Sequence, residues 1–472
     1  MLWSGRWRFT AALPGQTNKE RSSVEVRMKV LLINKFLHPN GGSETYVFGL
    51  GEQLRKMGHE VQYFGMEHQG RIVGNRVESY TSDMDFHGGG LQKLLYPFKI
   101  IYSVEARKKL RPVLQDFMPD VVHLNNINFQ LTPSVIDEVR AYAKKCGKSV
   151  RIVFTAHDYQ WVCPNHMMMI PETGRLCFAC RGGRFGNCTK NRCIHGSAAR
   201  SLLGSFEAFF YRWLRTYDRV DKIICPSAFM KKQLDTEPVF ANKTLVLHNF
   251  IPESGKGSAL MQKGPESDIV RTDVGNGDAQ TDAEGGNVLT DAENDAVWRG
   301  LQQRLPGRYA LYFGRFSKEK GVETLLKVCK NMTDVSFVFA GTGPLQEEIA
   351  RIKNIRNVGF VTGEALRKLI AGAAFSLYPS EWYENCPFSV MESQAYGTPV
   401  LASDLGGIPE LLQDGVTGEL FAAGDGAALE AKIKKLWEQP QLCAAYRENC
   451  QKIKFDTGEE YCVKMIEQAY CG

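Results

Sequence analysis

The chain of 472 residues carries 45 Gly and 19 Pro and is 43% hydrophobic and 23% charged, so at about 150 residues per domain it has room for two or three domains. Those figures exclude a fibre, a mini-protein and a wholly disordered chain. Fifty-eight Lys and Arg against 52 Asp and Glu leave +6, compatible with an anionic small ligand or a membrane surface and too mild to indicate nucleic acid.

The first 27 residues hold Arg6, Arg8, Lys19, Arg21 and Arg27 but lack the apolar run of about 7 to 15 residues that a signal peptide needs, and they read as a tail. No window reaches the roughly 18 consecutive apolar residues of a bilayer-spanning helix, so a soluble or peripheral protein is expected. Its 13 Cys then belong in a reducing cytosol. From Met28 onward short β-rich runs alternate with helical patterns, the signature of a parallel sheet covered on both faces. The spacing predicts strands over 30–34, 61–64, 121–124, 152–155, 222–225 and 244–247. A helix between the first two strands is expected to be capped by Ser43, to run through Leu50, Leu54 and Met57, and to stop at Gly58.

Residues 253–300 hold ten acidic and four basic residues, eight Gly and Trp298 as the only aromatic. Such a segment buries too little apolar surface to offset its ordering entropy and reads as a disordered acidic insert. Beyond it, strands are expected over 310–313, 336–340 and 375–378 and helices over 321–330 and 345–352, with a terminal amphipathic helix over 459–470. The expected organisation is therefore α/β: a tail (1–27), an N-terminal Rossmann-like domain (28–250) with a Cys-rich insert (163–195), a linker (251–303), a second doubly wound domain (304–455), and a C-terminal helix (456–472) packing back on the first. Two such domains facing each other put their strand ends around one cleft, which places the chemistry on strand-to-helix loops.

The densest constellation spans 379–407, PSEWYENCPFSVMESQAYGTPVLASDLGG, with Glu384 and Glu392 eight residues apart. One continuous helix would separate them by about 12 Å along its axis, and Pro387 argues against it. Glu384 is expected on a loop and Glu392 on a short helix ended by Gly397. Carboxylates so placed can accept bonds from paired sugar hydroxyls, and the helix start can offer N–H groups to phosphate. The second constellation, YFGRFSKEKG over 312–321, puts Arg315 and Lys320 just past a strand. A guanidinium fork beside an ammonium suits a diphosphate, each charge-assisted bond contributing about 1.5 to 3 kcal/mol.

GRFSKEKG, AGTGP, PSEWYE with its second Glu, GTPVLASDLGGIPEL and DGVTGELF, in that order, resemble the C-terminal domain of the retaining family 4 glycosyltransferases of the GT-B fold. PNGGSETYVFGLGEQLRKMGHEV, PDVVHLNN, FTAHDY, CPSAFMKKQL and LHNF match the N-terminal half in the family's order. The resemblance implies GT-B architecture and a nucleotide-sugar donor whose diphosphate meets Arg315 and Lys320 and whose ribose meets Glu392. By the same resemblance Glu384 faces the donor sugar, His157 contacts the transferred sugar, and Gly41, Gly42, Gly341, Gly343 and Asn249 line the donor side, with Ser227 nearby. It also implies a glycan or lipid-linked acceptor, no cofactor for catalysis, and a cytoplasmic site at the inner face of the membrane. Members commonly read Glu-Gly-Phe-Gly where this chain has Glu384, Asn385, Cys386 and Pro387, and Pro387 has no N–H to offer a phosphate. Standing alone, His157 reads as a hydrogen-bonded structural histidine, and its place at a strand end before Asp158 reverses that preference. An epimerase or phosphorylase on the same fold, or a non-catalytic carbohydrate or nucleic-acid binding module, are the rival functions.

Two features lie outside that motif set. Cys163, Cys177, Cys180, Cys188 and Cys193 fall within 31 residues and either supply a structural zinc site, with His166 or His195 as substitute ligands, or fold a loop as reduced thiols. Residues 91–109 and 198–219 mix aromatic and basic side chains as an interfacial helix does, and equally as a core-facing helix does.

Overall fold

A computed structural model describes residues 27–82, 101–251 and 291–472, with the side chains of 291–295 excepted. The tail, most of the acidic insert and the first half of the 91–109 stretch lie outside the described residues. Among the described residues the first half holds eight strands: β1 (Lys29–Ile33), β2 (Glu60–Phe64), β3 (Val121–Leu124), β4 (Arg151–Thr155), the short hairpin β5 (Met169–Ile170) and β6 (Arg175–Leu176), β7 (Lys222–Cys225) and β8 (Thr244–Val246). All but the hairpin form one parallel sheet in the order β2-β1-β3-β4-β7-β8. The second half adds β9 (Ala310–Phe313), β10 (Phe337–Ala340), β11 (Ile355–Gly359), β12 (Phe375–Tyr378), β13 (Val400–Ser403) and β14 (Gly418–Phe421), parallel in the order β11-β10-β9-β12-β13-β14.

These strands are apolar on successive residues because helices cover both faces. Leu31 and Ile33 point into one core with Val122, Leu124 and Phe154, while Val30 and Leu32 point into another with Tyr46, Leu50 and Val153. The second sheet divides in the same way, Tyr312 and Phe339 on one side, Leu311 and Val338 on the other. In each sheet the strand order reverses once, between β1 and β3 and between β9 and β12, and an open α/β sheet receives ligands outside the strand ends at such a point.

The helix Gly42–Lys56 follows β1 as expected and Gly58, at φ 87°, ends it, but Ser43 does not cap it. Gly41 holds the cap position, and the Ser43 hydroxyl instead donates to Glu44 Oε2 at 2.9 Å. The stretch expected to be disordered is helical at its end, over Asp291–Gln302, where Trp298 and Leu301, three residues apart, pack beside Tyr309 and Leu366. Two apolar side chains on one helical face supply the burial that composition averaged over the whole segment conceals.

The chain crosses between halves at two adjacent points: Ile251 N–H donates to the Asp456 carbonyl, and Thr457 then opens the helix Gly458–Met465 with a capping box to Glu460. That helix and the turn Ile466–Tyr470 lie on the first sheet, not the second. Buried hydroxyls seal the join: Tyr461 to Tyr46 at 2.7 Å, Tyr46 to Thr155 at 3.0 Å, Thr155 to His123 Nε2 at 2.8 Å, and His123 Nδ1 to Tyr470 at 2.8 Å. Burial lowers the His123 pKa to about 3, so the ring enters this chain neutral.

Unfolded His123 takes up a proton below about pH 6.5 while the folded ring resists until about pH 3, so its contribution to stability is complete above 6.5 and is lost as pH falls through that window, by up to about 1.4 kcal/mol per unit. Urea unfolding from pH 7 to 4.5 is expected to show this loss, and His123→Gln to show a shallower slope. Equal slopes would assign the loss to other groups.

Candidate active site

At the switch point of the second sheet, three loops converge on Glu384. The loop after β9 reaches it through Lys320, whose Nζ lies 2.5 Å from Glu384 Oε1. The loop after β12 carries Glu384 itself, with Ser380 Oγ at 3.0 Å and Trp382 Nε1 at 2.5 Å donating to the same oxygen. The loop after β13 donates Gly407 N–H to the Glu384 carbonyl at 2.7 Å. Glycine makes the approach possible: a Cβ at Gly321, φ 70°, would sit 1.7 Å from the Pro379 carbonyl, and one at Gly341 2.0 Å from that of Gly314. Gly343 packs on Phe316 in the same way.

Glu384 is 7% exposed, so its ammonium partner is what makes its charge tolerable there. Lys320 also lies 5.5 Å from the Trp382 ring and 5.9 Å from that of Tyr378. Arg315 is exposed on the same loop and has no ion-pair partner among the described residues. Glu392 sits on the short helix Phe388–Ala395, ended by Gly397 as expected, with Pro387 at its N-cap position. Its carboxylate is 5% exposed, meets no cation or donor among the described residues, and burial raises its pKa to about 7. Lys320 and Glu384 are thus brought together, while Arg315 and Glu392 bond to neither.

The N-terminal face supplies His157 just past β4. Its Nε2 bonds Asn125 Oδ1 at 2.9 Å, its ring meets Tyr46 edge-on at 5.1 Å, and burial lowers its pKa to about 4, leaving it neutral at neutral pH. Asn385 joins the halves here, its Nδ2 donating to the His157 carbonyl and its Oδ1 accepting from the Tyr159 hydroxyl, both at 2.8 Å. Asn249 is buried and donates to the Cys386 carbonyl at 2.9 Å. Gly42 faces Phe388, with 3.6 Å left for a Cβ; Gly41 precedes it in extended backbone. Ser227 caps the helix Ala228–Leu234, and Glu410 from the other half accepts from the N–H groups of Ala228 and Phe229 at 2.7 Å each. Burial opposes ionisation of Glu410, but His248 and those two N–H groups prevail and hold its pKa down.

A further group beside His157 is not legible as a cluster in the sequence, where His166 reads only as a substitute zinc ligand. Phe129 and His166 both adopt left-handed backbone, at φ 60° and 66°, and stack 5.3 Å apart. His166 Nδ1 lies 3.3 Å from Asp158 Oδ2, Asn128 bonds that same oxygen, and Lys35 Nζ bonds Asn128 Oδ1 at 2.8 Å. The Asn-rich strand end of PDVVHLNN was the available signal; nothing local singles out Phe129 or Lys35.

Of the clustered thiols, Cys163, Cys180, Cys188 and Cys193 are buried and Cys177 partly so. Cys180, Cys188 and Cys193 pack with Ile170 and Phe185, and a cavity of about 10 Å³, the size of one water, lies among Cys163, Cys177, Cys180 and Cys193. Burial pushes Cys163 and Cys180 up to about 12, which favours the thiol. Among the described residues no three His, Cys, Asp or Glu side chains are arranged to hold a metal ion. His166 is engaged with Asp158, and His195 is exposed.

Residues 40–254 match the family model described as glycosyltransferase family 4, and residues 300–453 that described as glycosyl transferases group 1; together they span most of the chain. Among curated relatives, an alpha-D-kanosaminyltransferase of Streptomyces kanamyceticus is 28% identical over 154 residues, 30% of this chain and 40% of that protein. An uncharacterized glycosyltransferase of Methanocaldococcus jannaschii is 25% identical over 284 residues, 59% of this chain and 66% of that protein. The chain therefore spans less than two thirds of the length of these relatives. Among solved structures, Anabaena HepE in complex with UDP-glucose aligns at TM-score 0.58 and 16% identity, covering 93% of this chain and 99% of that one. Sucrose-phosphate synthase from Thermosynechococcus elongatus aligns at TM-score 0.58 and 17% identity, covering 93% and 98%. At these identities the structural likeness concerns the fold.

Asn385→Ala removes both of its bonds between the halves and leaves the Tyr159 hydroxyl without that acceptor, so it is expected to cost about 1 to 3 kcal/mol in urea unfolding. An unchanged midpoint would show that the halves are not held together at this loop.

Proposed function

Because the chain belongs to the family 4 glycosyltransferases of the GT-B fold, we propose that it moves a sugar from a nucleotide-sugar to a hydroxyl of a glycan or lipid-linked saccharide, retaining the anomeric configuration. What carries this reading is the contact of Lys320 with Glu384 between loops at the strand-order reversal of the second sheet, with Arg315 on the same loop as Lys320 and without an ion-pair partner among the described residues. In it, the hard step is departure of the diphosphate. Arg315 has its full charge available, and Lys320, already oriented by Glu384, adds a second cation, so charge developing on the leaving group meets fixed partners and calls for no metal ion. Glu384 shares Lys320 with that phosphate and presents its remaining oxygen to hydroxyls of the donor sugar.

Glu392, buried and without a cation or donor among the described residues, suits the ribose, whose two hydroxyls would repay its desolvation. His157 stays neutral beside the reacting sugar and so can accept or donate a hydrogen bond without adding charge there. Asp158, Lys35 and the Phe129–His166 stack lie on the acceptor side of this arrangement, since they occupy the strand ends of the N-terminal sheet. The reading places the chain in the cytoplasm, at the inner face of the membrane where the acceptor is lipid-linked.

Lys320→Ala is expected to lower turnover at saturating donor about tenfold or more. Unchanged turnover would remove the phosphate role. The anomeric configuration of the first-formed product, read by proton NMR, tests retention, and conversion of donor without any acceptor would favour an epimerase.

Hydrogen bonds from ribose favour ionised Glu392, so binding should release a proton and tighten as pH rises through about 7. Calorimetric titration with a nucleotide-sugar, whose diphosphate diester does not titrate in that range, is expected to show this between pH 5.5 and 8.5, and Glu392→Gln to abolish it. A wild-type affinity independent of pH would place the ribose elsewhere.

A further inference from the structure

The helix Ala198–Trp213 is amphipathic the wrong way round for a surface helix of a globular protein. Its inward side is polar: Ser201 and Ser205 are buried, the Ser205 hydroxyl donates to the Phe185 carbonyl at 2.8 Å, and the buried Tyr211 hydroxyl donates to the Ile101 carbonyl at 2.5 Å. Arg212, paired with Glu237, holds the C-terminal end. Outward stand Leu202, Phe206, Phe209 and Trp213, spaced four, three and four residues, at 60%, 54%, 45% and 77% exposure. That spacing draws one continuous stripe along the helix. A Trp three-quarters exposed at the end of such a stripe is costly in water and at home at a lipid interface.

Charge says what covers it. From residue 173 to residue 206 the sequence holds Arg175, Arg181, Arg184, Lys190, Arg192 and Arg200 and no carboxylate. The fold gathers part of this set at the helix. Arg184 precedes Phe185, whose ring meets Phe209 at 5.3 Å, and Lys190 and Arg192 closely follow Thr189, which bonds the Ser201 carbonyl and Ser205. Arg184, Lys190, Arg192 and Arg200 are exposed and form no ion pair with a described residue. A second copy of this face would bring like charges together, whereas an anionic bilayer attracts them and accepts the apolar stripe.

We propose that the helix Ala198–Trp213, with the basic Cys-rich loop packed beneath it, docks the protein onto an anionic lipid surface. The stripe enters the interface between headgroups and acyl chains, and the arginines and lysine around it face lipid phosphates. This rests on the membrane placement in the proposed function and names the surface that would make it; its test needs no turnover, so its failure leaves the transferase reading standing.

The full chain is floated with phosphatidylcholine vesicles with and without phosphatidylglycerol at low salt. It is expected to rise with the anionic vesicles alone. Phe206→Asp with Trp213→Asp should abolish flotation and leave the melting temperature unchanged. Lys190→Glu with Arg192→Glu should weaken binding about fivefold per charge, and added salt should do the same to the wild type. Wild-type protein that stays at the bottom, or an aspartate variant that floats as well as wild type, overturns the proposal. So does an aspartate variant that melts lower, which would mean that the chain itself covers the stripe. A dimer dissolved by those aspartates with flotation intact overturns it in favour of a second copy.

Discussion

A carboxylate taken out of water needs a cation, and for Glu384 that cation is Lys320. The two residues stand 64 positions apart on loops from neighbouring strands, so their contact requires the whole order of the second sheet: β9 beside β12, with β13 next. Gly321 and Gly341 let the loops close on each other because a side chain at either would strike backbone. Ser380 and Trp382 complete the coordination of the oxygen that Lys320 meets. The pair is weak evidence of stability by itself, since its desolvation offsets much of its attraction, but it fixes an ammonium and a carboxylate side by side at the strand-order reversal of the second sheet.

The same loop couples the halves. One residue past Glu384, Asn385 spans to His157 and Tyr159; the next, Cys386, is bonded by Asn249; and Gly407, whose N–H holds the Glu384 carbonyl, lies near Ser227. The departure Asn385-Cys386-Pro387 from the commoner glycine-rich reading thus has a structural consequence here. An amide makes two bonds across the cleft that glycine could not, and proline caps the helix of Glu392. The C-terminal helix adds a second tie through Tyr461 and Tyr470, so the end of the chain is part of the first sheet's core.

The sequence made the strands legible because buried parallel strands read as short apolar runs, and the predicted strands each fall within a residue or two of the observed ones. β13, within VLAS, and β14, within GELF, were not separated from the motifs around them, and β11, with its alternating IRNVG, has too little apolar character to stand out. Pro387 correctly divided Glu384 from Glu392. What local pattern could not reveal is pairing at long range: that Lys320 meets Glu384, that Asn385 faces His157, or that Phe129 and His166 stack. The Ser43 cap failed because the helix begins at Gly42, with Gly41 at the cap position and Ser43 inside the first turn, and the end of the acidic insert was misread because Trp298 and Leu301 find apolar partners beyond the segment. The aromatic stripe of 198–213 showed its period but not its direction, which depends on Ser205 and Tyr211 finding carbonyls inside.

The most direct test of the donor cleft is thermal unfolding of the full chain against a panel of nucleoside diphosphates and nucleotide-sugars, the uridine series among them. A ligand at 100 times its dissociation constant adds about 2.7 kcal/mol of stability, which a melting curve resolves easily. The account predicts a shift by one nucleotide series, larger for the sugar conjugate than for the bare nucleoside and lost in Glu392→Gln. No shift with any of them at millimolar concentration would contradict the assignment of Arg315, Lys320, Glu384 and Glu392 to a donor site.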